Sequence, residues 1–92
     1  MLKEELRAYV HGTVHGVGFR ATAKRHADQL HLSGYVRNVP NGTVEICAQG
    51  DRKELELFLA LLQQEFSADY IRHIDSAYHT IETPYPDFKI LR

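Results

Sequence analysis

Three glycines and an arginine lie close together in residues 12–20, which read GTVHGVGFR. Glycine lets successive backbone N–H groups turn toward one concavity, and such a concavity binds an anion such as a phosphate group. The planar guanidinium of Arg20 matches two phosphate oxygens at once. These residue types indicate phosphate binding, although a tight turn before a helix and an exposed arginine would explain the same spacing. The segment matches neither G-x-G-x-x-G nor G-x-x-x-x-G-K-[ST], so the sequence disfavours a nucleotide cofactor.

The elements that flank this segment follow from the spacing of the apolar residues. Alternation predicts a strand from Leu6, and the three- and four-residue spacing that begins at Phe19 predicts a helix. Asn41-Gly42 predicts a hairpin between the second and third strands, because both residues tolerate positive φ. The further predicted elements are a helix that starts at residues 50–51 and has an apolar stripe from Leu55 to Phe66, a connection to the next strand over 63–70, a strand over 71–81 and a short strand over 88–90.

The resulting order is β-α-β-β-α-β with a short fifth strand, an α+β fold in which two helices cover one face of an antiparallel sheet. Right-handed crossovers make the first and second strands parallel and place the third between them. Their C-terminal ends then share one sheet edge, which brings Asn38 next to residues 12–20. An asparagine at this position is also common for local turn bonding alone. The length of 92 residues predicts a single domain, 1–92.

The composition argues against several classes of function. The chain has 11 Lys and Arg against 12 Asp and Glu, a formal net charge of -1. It lacks the broad positive field that binds nucleic acids or anionic membranes, so no nucleic acid and no membrane partner is expected. Cys47 is the only cysteine, so we expect no internal disulfide and an inert thiol, either on the surface or covered by a helix. The charged residues among the first ten argue against a signal peptide, and we expect a cytoplasmic protein.

Six histidines raise the question of a metal site. His11 and His15 are four residues apart, but they straddle a strand end and no Glu or Cys completes a ligand set. The sequence therefore predicts no metal site. The other four histidines are expected to be solvated surface residues: His26, His31, His73 and His79.

Two segments resemble the conserved blocks of the acylphosphatase family. Residues 10–20, VHGTVHGVGFR, resemble the signature V-x-G-x-V-Q-G-V-x-F-R, and residues 34–45, GYVRNVPNGTVE, resemble the block G-x-V-x-N-x-x-D-G-x-V-E. Together with the Phe-Lys-Ile ending at residues 88–90, the resemblance covers essentially the whole chain. It implies a ferredoxin-like α/β sandwich, in agreement with the order of elements above.

The resemblance also implies a function and a set of site residues. A stand-alone acylphosphatase hydrolyses the carboxyl–phosphate bond of an acyl phosphate to a carboxylate and inorganic phosphate, by in-line attack of water. Inorganic phosphate is then both product and competitive inhibitor, and no metal or cofactor is required. Arg20 binds the phosphoryl oxygens and Asn38 holds the attacking water. The backbone amides that contact the phosphoryl group belong to His15, Gly16, Val17, Gly18 and Phe19.

The sequence departs from the family pattern at three places. His15 stands where glutamine is usual, Asn41 stands where aspartate is common, and residues 63–70 lack the usual glycine-proline. Two other functions stay open. One is an acylphosphatase-like domain of a carbamoyl phosphate-processing hydrogenase maturation protein, although such domains carry proline where Ala21 follows Arg20 here. The other is a phosphate-binding module without turnover.

Overall fold

The computed structural model describes residues 3–92. Its elements are β1 (Lys3–Gly12), α1 (Phe19–Gln29), β2 (Ser33–Asn38), β3 (Val44–Asp51), α2 (Arg52–Tyr70), β4 (Ile71–His79) and β5 (Phe88–Leu91). The strands form one sheet in the order β4-β1-β3-β2-β5. β3 lies between β1 and β2 and is antiparallel to both, which confirms the predicted arrangement. The sheet is mixed rather than antiparallel throughout, because β5 pairs in parallel with β2.

The path of the chain after β4 explains the parallel pair. β4 and β5 occupy opposite ends of the strand order, so residues 80–87 must cross from one side of the sheet to the other. Gln49 holds this crossing in place: its Nε2 donates to Thr83 O at 2.8 Å, and its Oε1 accepts from the Tyr85 N–H at 3.0 Å. Because β5 runs parallel to β2, it ends at the sheet edge where β1 and β2 also end.

The helices pack against the sheet around one apolar core. Leu6, Ala8 and Val10 alternate along β1 and are fully buried there. Phe19 of α1 packs against Phe66 of α2, with ring centroids 4.9 Å apart. Burying apolar side chains of this size stabilises the fold by roughly 1.5–3 kcal/mol each. Neither helix within residues 3–92 is long and apolar enough to cross a bilayer.

Cys47 lies on the sheet face opposite the helices, since it alternates with the core residue Ile46. It is nevertheless only 1% exposed, and its neighbours on the adjacent strands are Arg7 and Tyr35. Burial, followed by the nearby Glu5 carboxylate, raises the pKa of the thiol to about 12. The thiol is therefore protonated and unreactive near neutral pH, as expected. It is neither on the surface nor covered by a helix, because neighbouring side chains of the sheet cover it.

The prediction of four surface histidines is wrong for His26. This residue is only 9% exposed and its Nε2 lies 2.9 Å from Glu65 Oε1 on α2. It follows Ala23 by three residues, so it shares the buried stripe of α1 that faces α2. The hydrogen bond from His26, together with that from Arg25, lowers the pKa of Glu65. The other three, as expected, are exposed: His31, His73 and His79.

Residues 63–70 differ from the expected connection, because α2 continues through them to Tyr70. The helix is interrupted only at Ser67, whose φ of 51° and ψ of -179° are not helical. The carbonyl oxygen of Tyr70, the last residue of α2, accepts the Thr13 N–H at 2.8 Å. A Cβ at Gly12 would stand 2.1 Å from this carbonyl oxygen, so only glycine allows the two chain segments to approach so closely. The end of α2 therefore fixes the start of the glycine-containing loop.

Replacing Ser67 with glycine should raise the stability of the protein. The backbone angles of Ser67 lie in a region that is populated almost only by glycine and that costs other residues about 1–3 kcal/mol. In a domain of this size, each kcal/mol recovered should raise the Tm by about 4–8 °C in a thermal scan. Ser67→Ala is the matched control, since both variants lose the 3.3 Å bond from the Asp69 N–H to Ser67 Oγ but only glycine relieves the backbone. Equal Tm values for the two variants would contradict the prediction.

Candidate active site

The loop between β1 and α1 forms one half of the site. Val14 anchors it in the core, whereas Gly16 and Gly18 are exposed and have φ of 75° and 81°. A Cβ at either glycine would meet nothing within 4 Å, so the backbone conformation and not crowding requires glycine here. Gly18 is also the N-cap of α1 and carries no capping side chain. The first N–H groups of the helix therefore face the loop without side-chain competition, an arrangement suited to an anion.

Arg20 is the second residue of α1 and is half-buried beside this loop. Its Nη1 approaches the carbonyl oxygen of Leu91, the last residue of β5, at 3.5 Å. A cavity of about 200 Å³ opens here. It is smaller than the roughly 300–1,000 Å³ typical of organic ligand sites, so it suits a phosphoryl group better than a nucleotide. The lining residues are Val14, Gly16, Gly18, Phe19, Arg20, Ala21, Ile90 and Arg92.

Ile90 and Arg92 are site residues that the sequence did not reveal. They reach the cavity because β5 ends at the same sheet edge as β1. Arg92 adds a second cation to a cavity that already holds Arg20. The sequence shows only a short apolar alternation at the end of the chain, and no local signal connects it with residues some seventy positions earlier.

Asn38 is the last residue of β2 and lies at the end of the sheet where β1 and β5 also end. It pairs with Val44 of β3. It follows the buried Val36 by two residues, so its side chain is on the face covered by the helices. Its Oδ1 is buried and accepts no hydrogen bond from the described residues. A buried polar atom without a partner costs about 1–3 kcal/mol, and an ordered water or a ligand commonly supplies the missing hydrogen bond.

The turn after Asn38 is shaped by two neighbouring residues. Gly42 has a φ of 95°, and its N–H donates to Val39 O at 2.9 Å. The φ of Asn41 is not positive, contrary to the expectation for both turn residues. Asn41 contributes its side chain instead, because its Oδ1 accepts from the Thr43 N–H at 3.0 Å and from Thr43 Oγ1 at 2.7 Å. An aspartate would accept the same two bonds, so this departure from the family pattern preserves the turn.

The predicted site residues do not all line the cavity. Gly16, Gly18, Phe19 and Arg20 do so. Val17 packs against the hydrophobic core. The remaining two residues, His15 and Asn38, lie outside the cavity lining, and the His15 side chain instead points to the turn, where its Nε2 lies 2.8 Å from Thr43 O.

The fold and the site together define a ferredoxin-like α+β protein with a glycine-containing loop and an arginine-lined cavity between its first strand and first helix. A family model described as acylphosphatase matches residues 6–90. The chain is 34% identical over 90 residues to an acylphosphatase of Syntrophus aciditrophicus. The aligned residues cover 98% of this chain and 94% of that protein. The chain belongs to the acylphosphatase family.

Solved structures agree with this assignment. The crystal structure of an acylphosphatase from Bacillus subtilis superposes with a TM-score of 0.89 at 31% identity, over 97% of this chain and 99% of that one. The structure of HypF from T. kodakarensis also matches, with a TM-score of 0.83 at 26% identity. That match covers 96% of this chain but only 12% of HypF, so the likeness is to one part of a much larger protein.

Proposed function

We propose that this protein is an acylphosphatase, which hydrolyses the carboxyl–phosphate bond of acyl phosphates to a carboxylate and inorganic phosphate. The observation that carries the proposal is the buried Oδ1 of Asn38, which accepts no hydrogen bond from the described residues and lies at the end of the sheet where the glycine loop and Arg20 also lie. A phosphate cradle by itself needs only the loop and the arginine. Asn38 Oδ1, at the same end of the sheet, supplies what hydrolysis requires in addition, a group that holds water.

The loop and Arg20 bind the phosphoryl group in this mechanism. The backbone N–H groups of residues 15–19 surround its oxygens, and the guanidinium of Arg20 binds two of them with parallel hydrogen bonds. Negative charge on the transferring group is thereby stabilised by donors that are already in place before the reaction. Inorganic phosphate carries the same oxygens, so it is both the product and a competitive inhibitor.

Asn38 orients the attacking water in line with the acyl oxygen. The water oxygen forms a bond to phosphorus, the bond from phosphorus to the acyl oxygen breaks, and the carboxylate leaves with that electron pair. The acid of this leaving group has a pKa of about 4, so it departs without a proton from the protein. The amide of Asn38 does not titrate near neutral pH, and one proton of the water passes to a phosphoryl oxygen of the substrate.

Benzoyl phosphate tests the proposal, because its hydrolysis is followed directly by ultraviolet absorbance. We expect turnover that inorganic phosphate inhibits competitively and that EDTA treatment leaves unchanged. Binding of phosphate without any turnover of benzoyl phosphate would identify a binding module and reject the enzyme. Turnover of carbamoyl phosphate in place of benzoyl phosphate would favour the carbamoyl phosphate-processing function.

We also infer that residues 1–92 act as one domain and that the protein works in the cytoplasm. The described residues share one sheet and one core, which supports a single domain. The lone thiol of Cys47 is compatible with a reducing compartment. Recovery of the benzoyl phosphate activity in the cytosolic fraction of the source cells is the corresponding measurement.

A further inference from the structure

One hydrogen bond joins the two halves of the candidate site. His15 Nε2 lies 2.8 Å from the carbonyl oxygen of Thr43 in the turn between β2 and β3. The same oxygen accepts the Val39 N–H at 2.9 Å. Because a carbonyl oxygen only accepts, the His15 ring must carry its hydrogen on Nε2. The bond is therefore available both to the neutral ring in this tautomer and to the protonated ring.

Thr43 O is connected to Asn38 through the backbone hydrogen bonds of the turn. Val39, which donates to this oxygen, directly follows Asn38, and Val44, which follows Thr43, pairs with Asn38 in the ladder. His15 thus binds a carbonyl that closes the turn after Asn38. The backbone N–H of His15 also begins the loop that faces the phosphoryl group, so a single residue contacts both halves of the site.

We infer that the side chain of His15 is a positioning residue that sets the place of Asn38 relative to the phosphate loop. The inference rests on the proposed function and adds a side-chain role to a position for which the family resemblance implied mainly a backbone contribution. Attack on phosphorus requires the water on Asn38 to be in line with the leaving oxygen. A displacement of about 1 Å costs up to about 10²-fold in rate, so a bond that fixes this distance affects kcat.

Two amide variants separate this role from the charge and size of the ring. Glutamine carries its Nε2 the same number of bonds from Cα as histidine does, so His15→Gln should preserve the bond to Thr43 O. Asparagine is one bond shorter and should lose it. We expect kcat of His15→Asn to be lower than that of His15→Gln by about tenfold or more. The two variants should bind inorganic phosphate with similar affinity, because both retain the backbone of the loop and Arg20.

A double-mutant cycle tests whether His15 acts through Asn38. In the Asn38→Ala background, His15→Asn should have no further effect on kcat, since the group it positions is absent. An equal fall in kcat in both backgrounds would overturn the inference. His15 is exposed, so these substitutions leave the core intact.

Hydrogen exchange at the Val39 amide provides a readout that needs no turnover. We expect faster exchange in His15→Asn than in the original protein, and original rates in His15→Gln. If the original protein failed to hydrolyse benzoyl phosphate, the proposed function would be rejected while this measurement still judged the positioning role. Unchanged exchange and unchanged kcat in His15→Asn would overturn the role of His15 and leave the proposed function standing.

Discussion

Replacing Asn38 with alanine should lower kcat for benzoyl phosphate by about 10²–10³-fold, the usual cost of removing one oriented polar group from an active site. The inhibition constant of inorganic phosphate should change little, because the loop and Arg20 hold the phosphate. Asn38 Oδ1 accepts no hydrogen bond from the described residues, so the Tm should stay the same or rise. Loss of activity without loss of stability distinguishes a functional amide from a structural one.

Asn41→Asp is the matched control for this variant. It changes the other asparagine of the same turn but keeps an oxygen that accepts from the Thr43 N–H and Thr43 Oγ1. We expect this control to retain activity. Retention of full activity in Asn38→Ala would show that Asn38 does not hold the water, whereas a large fall in Tm would indicate a structural role.

Replacing Arg20 with glutamine should reduce kcat/KM by about 10³-fold or more, as removal of a phosphoryl-binding arginine commonly does. Phosphate inhibition should weaken in parallel, because the same guanidinium binds phosphate in the ground state. Its one hydrogen bond with the described residues, to Leu91 O at 3.5 Å, is long, so the loss of stability should be small. Steady-state kinetics with inorganic phosphate as inhibitor measure both effects.

Two further variants sharpen this test. Arg20→Lys keeps the positive charge but loses the planar fork, so its activity should fall between those of Arg20→Gln and the original protein. Arg25→Gln is the control, because it removes another arginine of α1. The Nη2 of Arg25 donates to both carboxylate oxygens of Glu65, away from the cavity lining, so this variant should retain activity. Unchanged phosphate inhibition in Arg20→Gln would contradict the role of Arg20 in binding the phosphoryl group.

The positions of most elements could be predicted from the sequence. Leu6, Ala8 and Val10 alternate because one face of β1 is buried, and the helical spacing from Phe19 matches the buried stripe of α1. The place of β3 between β1 and β2 also followed, since a right-handed crossover makes β1 and β2 parallel. The parallel pair of β5 with β2 did not follow, because it depends on how residues 80–87 cross the sheet.

Two predictions from the sequence were wrong for different reasons. His26 was expected at the surface because histidine is usually solvated, yet α2 covers it and Glu65 accepts its hydrogen bond. Residues 63–70 were expected to leave the helix, yet α2 continues to Tyr70 with one interruption at Ser67. At residue 26, packing against α2 outweighs the usual solvation of histidine. At residues 63–66, the helical spacing from Leu62 to Phe66 already continues the buried stripe of α2.

The sequence by itself determined the glycine loop, the helix that follows it and the turn after Asn38, because backbone conformation there depends on residues a few positions apart. The tertiary structure alone decided which distant groups meet at the site. The bond from His15 to Thr43 O spans 28 positions, and Arg20 approaches Leu91 O across 71. Such contacts depend on the strand order and on the direction of each side chain. Neither can be predicted from the local spacing of residues.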